Sequence, residues 1–93
     1  MKPPSHLKKA ARDMWQAIRA DYDVSDGAGL SLLQAACESF QRAAEARAII
    51  DKGGAIIVDR FGQEKPHPAT AIERDSQSAM VAALRALRLE PGE

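Results

Sequence analysis

At 93 residues and 45% hydrophobic side chains, the chain has the size of one domain with an adequate but thin core. Thirteen basic residues balance thirteen acidic ones, so bulk charge announces no nucleic-acid partner. A single cysteine, Cys37, excludes an internal disulfide framework and fits a reducing, cytoplasmic setting, while no apolar run approaches the roughly 20 residues that cross a bilayer and no signal-peptide core follows Met1 to Ser5.

Met1 to Ser5 carries Pro3 and Pro4 and reads as a flexible, extended lead-in, with Ser5 placed to cap a first helix. From Leu7 the apolar positions Leu7, Ala11, Met14, Trp15, Ile18 and Tyr22 line one face of that helix, which ends near Asp21. Lys8, Arg12 and Arg19 fall on a stripe beside that face, close to Trp15. Such a stripe serves either as solvated charges whose stems cover the core edge or as a row of phosphate contacts.

Asp23 to Gly29 is a break in which Ser25 or Asp26 can cap a second helix. Leu30, Leu33, Cys37, Phe40, Ala44 and Ala48 predict its buried stripe, and Gly53 with Gly54 a left-handed stop after about Lys52. That helix is long for the chain, and one short partner helix cannot cover it. The run AIIVD, Ala55 to Asp59, is β-branched and predicts a strand, Arg60 to Gln63 a turn with Gly62 at the permissive position, and Gln63 to Lys65 a returning strand. A lone hairpin is marginal in water, so its faces are expected to pack on the helices and its open edges to suit a neighbour.

Pro68 suits the first turn of a third helix and holds His67 extended, as a cap or as a subunit or DNA contact. Ala69, Ile72, Ser76, Ala79, Met80, Ala83, Leu84 and Leu87 then trace an amphipathic face that Pro91 and Gly92 terminate. The expected fold is mainly α: three amphipathic helices with a short β-hairpin between helix two and helix three, in one compact domain over residues 1–93. Aromatic residues are only 4% of the chain and much of the apolar content is alanine. Each such side chain buries little area at roughly 25 cal/mol per Å², which favours further burial through self-association.

Chemistry-bearing patterns are sparse. His6, His67 and Cys37 have no metal-ligand spacing, Gly27 and Gly29 lack the strand and lysine of a phosphate loop, and Glu73 and Asp75 are split by Arg74. Neither a metal, a cofactor nor a catalytic site is expected. Charge is unevenly spread, however: Lys2, Lys8, Lys9, Arg12 and Arg19 face only Asp13 within residues 1–20, whereas acidic residues dominate from Asp21 to Asp59. Lys8, Lys9, Arg12 and Arg19 therefore form the first candidate DNA-binding set, and Arg60 and Lys65 on the hairpin a second, partly offset by Asp59 and Glu64.

The opening PPSHL with Trp15, the segment LLQAACESF, the strand before DRFGQEKPHPA, and the closing ERD and LRALRLE together resemble one family of small terminase subunits of tailed phages and prophages. RFGQEKPHPA leading into an amphipathic helix is the most specific part. The resemblance implies a non-catalytic DNA-packaging protein that forms a homo-oligomeric ring, recognises double-stranded viral DNA and regulates the large ATPase and nuclease subunit in the host cytoplasm. The competing expectation is a small α-helical oligomeric scaffold or regulatory protein that binds no DNA.

Overall fold

The computed structural model describes residues 2–88. Helix α1 spans Lys9–Asp21, α2 Gly27–Gly53 and α3 Pro68–Leu87, with strands β1, Ile56–Val58, and β2, Glu64–Pro66, forming an antiparallel hairpin between α2 and α3. The mainly α fold expected from the sequence is the one observed.

Local chemistry explains each boundary. The chain turns over residues 5–7 before α1, where the Leu7 N–H donates to the Pro4 carbonyl over 3.2 Å, and the capping position falls to Lys8, which gives no side-chain bond. Ser5 thus lies one turn too early to act as the cap. Asp26 does cap α2, its carboxylate accepting from the Gly29 N–H at 3.2 Å. At the other end Gly54 takes φ 88° and ψ 158° while its N–H donates to the Ile50 carbonyl over 2.7 Å. This is the extended positive-φ region open to glycine alone, so the helix exits straight into β1 and not through the left-handed turn expected. Helix α3 closes on Arg88 in the left-handed conformation, φ 52° and ψ 50°. The expected Pro91 and Gly92 stop lies outside the described residues.

Helices α2 and α3 run antiparallel and meet through small side chains. Ala36, Ser39, Ala43, Ala46 and Ile50 are buried along α2 at alternating steps of three and four, and Ala69, Ser76 and Ala83 along α3 at steps of seven. Small residues at such spacing let two helix backbones approach closely along a 3-4 seam. This seam overturns part of the expected stripes. Ala44 and Ala48 on α2, and Ile72 and Ala79 on α3, are exposed. The large side chains collect instead where α1 joins, in a cluster of Leu7, Ala11, Trp15, Val24, Leu33 and Cys37 edged by Met14, Ile18, Tyr22, Leu30, Phe40 and Leu87. A second cluster, Ala46, Ile50 and Ala69, sits at the hairpin end.

The molecule is elongated, 56 × 23 × 22 Å, with a radius of gyration of 16.2 Å. A compact chain of this length would have about 12 Å. All six strand residues are exposed, so the hairpin faces do not pack on the helices as the sequence led one to expect. The reason is connectivity: β1 leaves α2 two residues past Gly54, and the His67 N–H donates to the Ala55 carbonyl over 2.7 Å, so the hairpin is tied to the helix pair only at its base.

Candidate nucleic-acid interface

The first basic set is built at the foot of α1, which docks on α2. Leu7 plugs the core, the Lys8 N–H donates to Gln41 Oε1 over 2.6 Å, Lys8 Nζ lies 3.2 Å from Glu45 Oε1, and His6 Nε2 lies 2.7 Å from Glu38 Oε2. Lys9 pairs with Asp13 at 2.7 Å, one turn along the same helix. Arg12 is exposed and makes no ion pair among the described residues. Both lysines are well exposed, and ion pairs of that kind contribute little, so a phosphate can exchange for either carboxylate at small cost.

Arg19 is differently placed. It is half-buried, its guanidinium lies 5.1 Å from the centre of the Trp15 ring, and its Nε donates to the Val24 carbonyl over 3.1 Å. The stacked arginine holds the α1 to α2 connection and leaves only part of its fork facing solvent.

Arg60 and Lys65 stand apart from this set, on the hairpin beyond the end of α2. Arg60 lies over the Phe61 ring at 4.9 Å, and Lys65 Nζ lies 3.2 Å from Asp59 Oδ2. Asp59 also accepts from the Phe61 N–H at 2.8 Å and the Gln63 N–H at 3.0 Å. The Gln63 bond chiefly, with those from Phe61 and Lys65, holds its carboxyl below the ordinary value despite opposing desolvation. The six candidate residues therefore form two patches.

A third basic surface was not anticipated from the sequence. Arg74, Ser78, Val81, Arg85 and Arg88 recur at i, i+4, i+7, i+11 and i+14 and all are exposed, with Val81, Arg85 and Arg88 bordering an open groove whose other wall includes Ile18 and Tyr22. Among the described residues Arg74 forms an ion pair only with its neighbour Asp75, at 3.3 Å between two exposed side chains, and Arg85 and Arg88 form none. The same periodicity that placed the apolar face would have found this row had it been applied to charge.

Cys37 is fully buried, and desolvation, helped by the Glu38 carboxylate, pushes its thiol up to about 11. A thiol so raised is a core side chain and not a nucleophile. His67 caps α3, its Nδ1 accepting from the Ala69 N–H over 2.9 Å. Among the described residues no group of three His, Cys, Asp or Glu is arranged to hold a metal ion, and no helix is long and apolar enough to cross a membrane.

The family model for the small subunit of phage terminase matches residues 11–93. The chain belongs to that family. No curated protein and no solved structure gave a significant match. Membership supports a role in phage DNA packaging, within a complex that includes DNA and the large subunit, and small terminase subunits are generally non-catalytic. Arg12, Arg19, Arg60, Lys65 and the α3 arginines lie inside the matched span of this terminase small subunit, whereas Lys8 and Lys9 precede it.

Proposed function

We propose that this small terminase subunit recognises viral double-stranded DNA for packaging and regulates the large ATPase and nuclease subunit, catalysing nothing itself. The observation that carries the reading is the family match over residues 11–93, read with the exposed basic foot of α1. Lys8, Lys9 and Arg12 contact phosphate, Arg19 supports them from its seat on Trp15, and Arg60 and Lys65 form a secondary contact. One copy offers few charges. A homo-oligomeric ring multiplies them, so weak single contacts add to useful affinity, and sequence preference arises from repeated contacts or from DNA bending. The protein acts in the host cytoplasm.

Binding of a duplex spanning the packaging region, followed by fluorescence anisotropy over a salt series, tests this. The double variant Lys8→Glu, Arg12→Glu should weaken binding and flatten the dependence of log Kd on log salt. Unchanged affinity and slope would remove the proposed site. A second reading, an oligomeric helical scaffold without DNA binding, draws on the ion pairs of Lys8, Lys9 and Lys65 with Glu45, Asp13 and Asp59, which offset half of the candidate charges. Its signature is normal assembly with no salt-dependent DNA binding.

A further inference from the structure

The hairpin ends in a tightly bonded tip. Asp59 and Gln63 form its last pair, the Asp59 N–H donating to the Gln63 carbonyl over 2.9 Å, and leave Arg60, Phe61 and Gly62 as a three-residue loop. The Gly62 N–H returns to the Asp59 carbonyl over 3.0 Å, and Gly62 takes φ 78°, the left-handed position that such loops reserve for glycine. The Asp59 carboxylate accepts from the Phe61 and Gln63 amides and pairs with Lys65, so its charge is turned into the loop.

What the tip displays is apolar and cationic. Phe61 is 74% exposed, the most of any large hydrophobic side chain among the described residues, and the Arg60 guanidinium covers one face of its ring at 4.9 Å. Arg60 makes no ion pair among the described residues. Along β2 successive side chains point to opposite sides of the ribbon, so Glu64 lies with Val58 on one side and Lys65 on the other. A ring held out on a preorganised turn, with a cation against it, matches a ligand that offers stacked rings between rows of phosphate. An apolar protein pocket would take the ring but would have to desolvate the guanidinium beside it.

We infer that this tip is a wedge for double-stranded DNA: the Phe61 ring enters a base-pair step from the minor groove, Arg60 follows it into the groove, and Lys65 holds a phosphate alongside. The wedge rests on the DNA-binding reading above and gives it a bending residue. Apolar side chains inserted in this way partly unstack the step and kink the duplex toward the major groove by roughly 20–90°. The kink costs least at pyrimidine–purine steps, so Phe61 selects sequence through deformability and reads no base edge. The major groove suits the tip less, because a phenyl ring there has only the thymine methyl to contact. One duplex can reach both this tip and the foot of α1. Lys8 meets Glu45, eight residues before α2 ends at Gly53, which is about 12 Å along the helix axis and well inside one turn of DNA, about 34 Å. The contact uses the loop alone and leaves both strand edges free.

A duplex spanning the packaging region, with a donor and an acceptor dye at its two ends, tests the wedge by energy transfer at saturating protein, affinity being followed by fluorescence anisotropy. The unmodified chain should shorten the end-to-end distance. Phe61→Ala should abolish the shortening and weaken binding roughly tenfold, the size of one lost base–aromatic stack, while the slope of log Kd against log salt stays unchanged because no cation is removed. Phe61→Trp, which restores a flat ring, should restore the bend. Bending by Phe61→Ala equal to that of the unmodified chain would overturn the wedge. So would a changed copy number of Phe61→Ala in native mass spectrometry, which would make the ring a protein contact. Lys8→Glu, Arg12→Glu should give the converse pattern, a flatter slope with the bend retained once the duplex is saturated. If the unmodified chain binds no duplex, the DNA reading falls and the wedge with it, whereas binding without bending that depends on Phe61 removes the wedge alone.

Discussion

Arg47 on α2 and Glu73 on α3 meet as a fork, Nε donating to Oε2 over 2.6 Å and Nη2 to Oε1 over 2.8 Å. Glu73 is the less exposed partner, and Asp51, 3.6 Å from Arg47 Nη1, flanks the pair on the next turn. The bidentate geometry with Glu73, more than Asp51, holds the Arg47 proton above its ordinary affinity. The fork clamps α2 to α3 at the end where the hairpin leaves. Glu73→Gln should lower the thermal midpoint by about 4 °C, and Asp51→Asn by clearly less, when both are scanned by circular dichroism at one protein concentration. Equal effects would mean that the fork adds nothing beyond an ordinary surface pair.

The α2 to α3 seam predicts an asymmetry among alanines. Ala36 has no exposed surface and Ala44 is exposed, although both sit mid-helix. Ala36→Leu forces a larger side chain into a closely packed seam and should cost about 1–3 kcal/mol. Ala44→Leu should be nearly neutral in the isolated chain. Urea unfolding measures both, and a neutral Ala36→Leu would show that the seam is looser than the buried alanines and serines indicate.

That contrast also marks how far the sequence was legible. Capping by Asp26, the Gly62 turn with φ 78°, the Pro68 start of α3 and the α1 face around Trp15 all follow from local chemistry, which a sequence carries residue by residue. The side of α2 that meets α3 does not. Alanines occupy positions 35, 36, 43, 44, 46 and 48, so the hydrophobic pattern is nearly degenerate around the helix, and only the antiparallel partner selects Ala36, Ala43 and Ala46. The exposure of the hairpin is hidden from the sequence for a related reason: IIV has the composition of a buried strand, whereas its short ties to both helices hold it clear of them. At the basic foot the charge imbalance locates Lys8 and Lys9, and the i, i+4 spacing gives the pairing of Lys9 with Asp13, but Glu45 comes within reach of Lys8 only through the docking of α1 on α2.

His67 separates a structural from a contact role. Its ring caps α3, and the Thr70 hydroxyl donates to its carbonyl over 2.7 Å. His67→Asn preserves a side-chain acceptor and should leave stability nearly unchanged, while His67→Ala should lose about 1 kcal/mol. If His67→Asn folds normally yet fails to assemble or bind DNA, the imidazole is a contact in addition to a cap.

The hairpin carries its own pH dependence. Asp59 is held below the ordinary 3.8 by the Gln63 and Phe61 amides and by Lys65, so its carboxylate supports the folded turn fully above that value. As pH falls from 3.8 through the lower folded value, protonation removes this support. Amide shifts of Phe61 and Gln63 should move together in that acid window and stay flat above it. In Asp59→Asn the transition should vanish; its persistence would assign the titration to another group.

The two basic faces of the helices make opposite predictions for DNA binding. The proposed site is the foot of α1, where Arg12 is the cation without a carboxylate partner among the described residues, whereas the α3 row offers Arg85 and Arg88 in the same condition. Removing one phosphate-binding cation should reduce the slope of log Kd against log salt by about 0.9 per chain engaged. Arg12→Ala should therefore reduce the slope and Arg85→Ala, Arg88→Ala should leave it unchanged. The reverse result would move the DNA to the arginine row of α3. Because Val81 and Ser78 interrupt that row, a second readout separates DNA from protein contact there: Val81→Glu would then weaken DNA binding without altering the copy number seen by native mass spectrometry.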